Sequence, residues 1–157
     1  MEIERGSIGI EGAVTVSGFT DTEIRTLINR ERLFPEMDRK HGRLLSFTIR
    51  QLFMLAAAKA LIGVGFSIRS ACDAVRPCQI YGTLLEDGEL SLAAGKEGHL
   101  TGISGEHIAV SIVIRPWALF DSMKTGLIEI YGPEAVAELE QLRTAKPAQK
   151  KLKKGAA

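Results

Sequence analysis

Residues 47–75 open on Phe47-Thr48-Ile49-Arg50-Gln51-Leu52 and run to Leu61-Ile62-Gly63-Val64-Gly65-Phe66-Ser67-Ile68, with a nearly unbroken apolar stretch between the two. Thr48 followed three residues later by Gln51 is a capping box, in which the hydroxyl and the amide each satisfy a backbone N–H that the first helical turn leaves unpaired. The helix opened there, to about Ile62, carries Leu52, Phe53, Met54, Leu55, Ala56, Ala57, Ala58, Ala60 and Leu61. Being apolar nearly all round, it is predicted to be buried on most sides. Gly63 and Gly65 stop it. Ser67 caps a shorter helix through Ile68, Ala71, Cys72 and Val75, which Pro77 closes.

Upstream, Thr20-Asp21-Thr22-Glu23 is a second capping box. Ile24, Leu27 and Ile28 follow at helical spacing and predict a buried stripe, with Arg25, Thr26, Asn29 and Arg30 on the other face. Pro35 ends that element after Leu33-Phe34. Residues 36–43 form a polar loop containing Arg39, Lys40, His41, Gly42 and Arg43, and 43–47 read as the returning strand of a small hairpin with a basic tip. In residues 1–18, Ile8, Ile10, Val14 and Val16 sit at even spacing, which fits either a strand or a short, poor helix.

After Pro77 the texture changes. Residues 80–114 are glycine-rich with alternating segments, Glu89 to Leu92 and Ile108 to Ile114, and predict two to four strands. Pro116 suits the first turn of a helix. Its stripe of Trp117, Phe120, Leu127 and Ile128 reads as the cover of that small sheet or as a dimer seam. Gly132-Pro133 breaks this helix, 134–143 is a short final one, and the Lys/Ala-rich end is expected to be disordered. The net charge of +1 sums unlike parts. Residues 20–50 hold seven Lys/Arg against five Asp/Glu, residues 80–145 four against ten, and the segment from Lys146 onward five Lys and no acid. Segregated basic regions suit a polyanionic partner.

The order of elements resembles the winged helix-turn-helix that begins MerR-like transcription regulators. Phe47-Thr48-Ile49-Arg50-Gln51-Leu52, with Leu55, is similar to that family's opening of its third helix, although Gln51 stands where an acid is usual. The segment from Leu61 through Gly65-Phe66-Ser67-Ile68 to Ala71 is similar to its link into the fourth, and Ile24 to Leu33 to its reading helix. The resemblance places the motif's first helix in Ala13–Gly18.

It implies an α+β chain: a winged helix-turn-helix over residues 1–78, a small strand/helix module for dimerisation or a partner over 79–144, and a disordered basic tail over 145–157. The implied function is sequence-specific, double-stranded DNA binding by a homodimeric transcription regulator; whether it contacts RNA polymerase stays open. The reading helix would lie in the major groove and present Thr22, Arg25, Thr26, Asn29 and Arg30. The wing would bring Arg39, Lys40, His41 and Arg43 to the backbone, and Arg50 would approach phosphate from the next helix. A phage or mobile-element DNA-binding protein of excisionase or packaging type would share this head. A protein-interaction adaptor that has lost DNA binding would fit the acidic middle.

Other classes find less support. No signature of a metalloprotease, serine hydrolase or phosphate-loop enzyme occurs, so no catalytic residues and no cofactor are expected. Cys72 and Cys78 read as ordinary thiols rather than metal ligands, and His99 and His107 make no metal spacing. The run from Leu52 to Phe66 is too short for a membrane span and is interrupted by Lys59. Met1 to Arg5 lacks the pattern of a secretory signal, so a cytoplasmic location is expected.

Overall fold

The computed structural model describes residues 6–37, 45–85, 90–94, 100–102 and 111–154. Strand β1 (Ser7–Gly9) leads directly into helix α1 (Ile10–Ser17), and helix α2 (Asp21–Asn29) follows after three residues. Strand β2 (Ser46–Thr48) runs into α3 (Ile49–Gly63), which is followed by α4 (Ile68–Val75) and α5 (Ile80–Leu85). Strands β3 (Leu90–Ala94), β4 (Leu100–Gly102) and β5 (Ser111–Ile114) precede α6 (Pro116–Tyr131) and α7 (Pro133–Lys154). Among the described residues the fold is α+β, mostly helical, with two small antiparallel sheets.

The first sheet pairs β1 with β2, Ile8 opposite Phe47. Residues 1–18 thus supply both a strand and a helix. The strand at 46–48 takes its partner from the start of the described chain rather than from a neighbouring hairpin arm. In the second sheet the order is β4-β3-β5, with Leu92 opposite both Gly102 and Ile112.

The capped helices form where the local signals put them. Thr48 Oγ1 accepts the Gln51 N–H at 3.4 Å, and Gln51 Oε1 accepts the Thr48 N–H at 2.9 Å. An amide can close the box because the bond needs only an acceptor oxygen, so the absent acid costs α3 no cap. Ser67 caps α4 by accepting the Ser70 N–H at 3.1 Å. Gly65, at φ 102°, takes the turn out of α3 in a backbone region that side chains rarely adopt. Pro116 occupies the first turn of α6.

Helix α1 is held by burial rather than by propensity. Its Ala13 and Val16 sit in the core, and α3 and α6 both pack on it. The helix occupies Ile10–Ser17 rather than Ala13–Gly18, because Gly18 at φ 71° turns the chain out of it. On α6, Gly126 meets the backbone of α1 so closely that an added Cβ would lie 2.8 Å from Thr15 O and 2.9 Å from Val16 Cα.

One apolar cluster runs from Ala13 and Phe19 through Leu52, Phe53 and Leu55 to Phe120, Met123, Leu127 and Leu139, so the core is continuous across residue 78. The Trp117 stripe accordingly lies in the core. The principal neighbours of α6 are α1, α3, α5 and α7, and not the sheet it was expected to cover. Helix α7 is longer than the expected 134–143 and reaches Lys154, where a disordered tail was expected. Extending an existing helix avoids the cost of nucleation, and residues 144–154 hold five Lys and two Ala, good helix formers, against one opposing residue, Pro147. Arg143 and Asp121 (3.3 Å) and Lys124 and Glu140 (2.6 Å) bridge α6 to α7.

Candidate nucleic-acid interface

Between α1 and α2 the chain turns in three residues. Gly18 donates its N–H to Val14 O at 3.0 Å. The buried Ser17 hydroxyl donates to Ala13 O at 2.6 Å and accepts the Phe19 N–H at 3.3 Å, so the turn's polar groups are satisfied internally. Thr20 then caps α2. Its Oγ1 accepts the Glu23 N–H at 3.2 Å, and Glu23 Oε2 accepts the Thr20 N–H at 2.7 Å. These bonds to Thr20 hold the Glu23 carboxyl below its ordinary pKa.

The faces of α2 separate as the spacing predicts. Ile24, Leu27 and Ile28 are buried, and Thr22, Arg25, Thr26 and Asn29 fall at i, i+3, i+4 and i+7 on the opposite side. Thr22, Arg25 and Asn29 are exposed and Thr26 is half-buried, its hydroxyl donating to Thr22 O at 2.9 Å. Arg25 pairs with Asp21 one turn earlier, and both side chains remain about half exposed (53% and 52%), so the pair is open to a third group. Asn29 is exposed, as is Arg30, which sits at the C-cap of α2. Five of the expected base-reading residues thus share one helix face and its C-terminal end.

Arg50 stands apart in the first turn of α3, exposed, its guanidinium 6.0 Å from the centre of the Tyr81 ring. Arg39, Lys40, His41 and Arg43 lie outside the described residues.

Polar ties hold α2 at both ends. At its start, Glu23 faces Lys59 of α3 at 3.8 Å, and the same ammonium sits 4.4 Å above the Phe19 ring. At its end, the chain bends through Arg32 at φ 51°, a left-handed conformation uncommon for a residue with a side chain. Leu33 and Phe34 then plunge into the core, where Phe34 meets Phe47 edge to face at 6.2 Å.

Arg76, at the C-cap of α4, reaches that bend. Its Nη2 donates to Glu31 O at 2.6 Å and its Nε to Arg32 O at 3.1 Å, and Nη1 is held by Asp73 at 2.9 Å. Nothing in the sequence marked this residue. Two of its three partners lie 44 and 45 positions away and are backbone carbonyls.

Elsewhere, an apolar groove of about 580 Å³ opens between α3, β5 and α6, lined by Ala57, Leu61, Val64, Ile112, Val113 and Leu119 among others. The hydroxyl of Ser122, at the groove, donates to Leu119 O at 2.7 Å. Burial pushes the Cys72 thiol up to about 11 and raises Cys78 as well. Among the described residues no cluster of three or more His, Cys, Asp or Glu has the arrangement to hold a metal ion. No helix of the described residues is long and apolar enough to cross a membrane. No family model, curated protein or solved structure matches the chain.

Proposed function

We propose that this protein is a sequence-specific DNA-binding transcription regulator with a MerR-like winged helix-turn-helix, acting as a homodimer. The observation that carries the reading is the pair α1 and α2: two helices joined by a three-residue turn with a left-handed glycine, the second capped, its inner stripe buried and its outer face set with Arg25, Thr26 and Asn29. In the major groove Arg reads guanine and Asn reads adenine, each through two hydrogen bonds, and a good pair contributes about 1–3 kcal/mol of discrimination. Asp21 fits this role for Arg25, since a carboxylate on one edge of a guanidinium fixes its plane and leaves other N–H groups for a base. Arg50 and the basic segment of Arg39, Lys40, His41 and Arg43 supply charge for the flanking phosphates, a source of affinity without sequence information.

The test is genome-wide recovery of DNA bound by the protein, followed by binding to the recovered duplex over a range of salt. A regulator yields a defined two-fold symmetric site, affinity that falls steeply with salt, and relaxed sequence choice in the double substitution Arg25→Ala, Arg30→Ala. Recovery of a recombination or packaging site would move the protein to the mobile-element class. Absence of duplex binding at low salt would refute the proposal.

A further inference from the structure

We infer that Arg76 is the positioning residue that sets the pose of the reading helix α2, by clamping the carbonyls where the chain leaves it. The inference rests on the DNA-binding reading above and assigns a role to a residue outside the reading face. Helix α2 is short, its main helical neighbour is α1, and Ile24, Leu27 and Ile28 make its buried stripe. That stripe resists lifting, and the buried Leu33 and Phe34 anchor the chain beyond the bend, so the motion left to this nine-residue helix is a pivot within those limits. The pivot is opposed at the start by Glu23 with Lys59, a 3.8 Å pair between half-exposed groups that screening weakens. At the far end it is opposed by Arg76.

The far end is where position matters. Asn29 and Arg30 stand immediately before the clamped carbonyls of Glu31 and Arg32, so a shift of the bend moves both side chains. Three features make the clamp rigid. The guanidinium is planar, and it bonds two consecutive carbonyls and one carboxylate at once, from three different nitrogens. Its side chain is one-third exposed, and its bonds to Glu31 and Asp73 are partly buried, which shields those two in part from water. Finally, it grows from the end of α4, which packs on α3, so the fork is anchored in the core rather than on a loop. The positive charge also suits the electronegative end of α2.

A lysine keeps that charge but, as a single compact donor group on a flexible stem, cannot reproduce the planar fork. The experiment compares wild-type protein with Arg76→Lys. The probes are the duplex recovered from the genome and a scrambled duplex of equal length, across a salt series. The ratio of the two affinities is expected to fall about tenfold, as for the loss of one good base contact. The slope of log affinity against log salt is expected to stay unchanged, because Arg76 touches no phosphate. An unchanged ratio would overturn the inference. So would a slope smaller by about one, the mark of a direct phosphate contact.

If Arg76→Lys melts before it can be assayed, Asp73→Asn takes its place. It leaves both carbonyl bonds and removes only the acid that orients the fork, so a smaller fall in the ratio is expected and no fall overturns the clamp. If wild-type protein binds no duplex, the DNA reading itself has failed. The clamp then stands or falls on hydrogen exchange in the free protein. The Glu31 and Leu33 amides, bonded to Thr26 O and Leu27 O, should exchange faster in Arg76→Lys, and equal rates refute the clamp.

Discussion

Replacing Gly126 by alanine should drive α6 off α1, and the size of the effect follows from three distances. The new methyl would lie 2.8 Å from Thr15 O, 2.9 Å from Val16 Cα and 3.1 Å from Thr15 C. Carbon atoms settle at about 3.5–4.0 Å, so the two helices must part by roughly 0.5–1 Å. All three atoms belong to the backbone of α1, so no side chain can rotate away. Overpacking of this kind costs about 1–3 kcal/mol, with a backbone clash toward the upper end. Alanine returns up to about 1 kcal/mol of helix propensity. The net loss is about 1–2 kcal/mol, which lowers Tm by about 2–8 °C in a chain of this size. Gly63, the last residue of α3, is the matched control, where an added Cβ would meet nothing within 4 Å and φ is ordinary. Gly63→Ala should raise Tm by up to about 3 °C, since only propensity changes. Paired thermal melts followed by circular dichroism decide the matter. A Gly126→Ala protein melting at or above wild type would refute the close approach of α1 and α6.

The caps give a second set of expectations. Thr20→Ala and Thr48→Ala should each cost about 1 kcal/mol in denaturant unfolding. Because the folded protein holds Glu23 below its ordinary value of 4.5, its contribution is complete above that pH and is lost as the pH falls through the folded value. Glu23→Gln should therefore flatten the acid limb of the stability profile, and a profile with unchanged slope would count against the capping bond. Cys72 is fully buried with its thiol raised to about 11, whereas Cys78 is only partly covered. A thiol reagent should label Cys78 in the native protein and reach Cys72 only on unfolding, as peptide mapping would reveal. Arg50→Ala should weaken binding to all duplexes alike and reduce the salt slope by about one, whereas an unchanged slope would remove Arg50 from the phosphate contacts.

Local signals were the most legible part of the sequence. The Thr20 and Thr48 boxes, the Ser67 cap, Gly65 and Pro116 each act within a few residues, and each helix starts or stops where they stand. The face of α2 was legible for the same reason, since a buried Ile24, Leu27 and Ile28 leave Arg25 and Asn29 only one direction. Tertiary contacts carried what was missed. Helix α1 contains Val14, Thr15 and Val16, residues of low helix propensity, and forms because α3 and α6 bury its apolar side. The pairing of Ile8 with Phe47 and the reach of Arg76 to Glu31 join segments about 40 residues apart, which no local pattern encodes. The Trp117 stripe was recognised as apolar, but its partners could not be named, because periodicity gives a face and not what covers it.

The ribbon of β1 and β2 has a kinetic consequence. It is only three residue pairs long, Ser7 with Thr48 to Gly9 with Ser46, and it closes a loop that contains the entire α1–α2 pair. Bringing the ends of such a loop together costs about 3 kcal/mol in chain entropy, more than so short a two-stranded ladder returns alone. The ribbon should therefore zip only after α1 has docked on α3 and set the two strands side by side. By the same reasoning it should be the first element to open, so that its amides report, ahead of any helix, how firmly α1 is seated on α3.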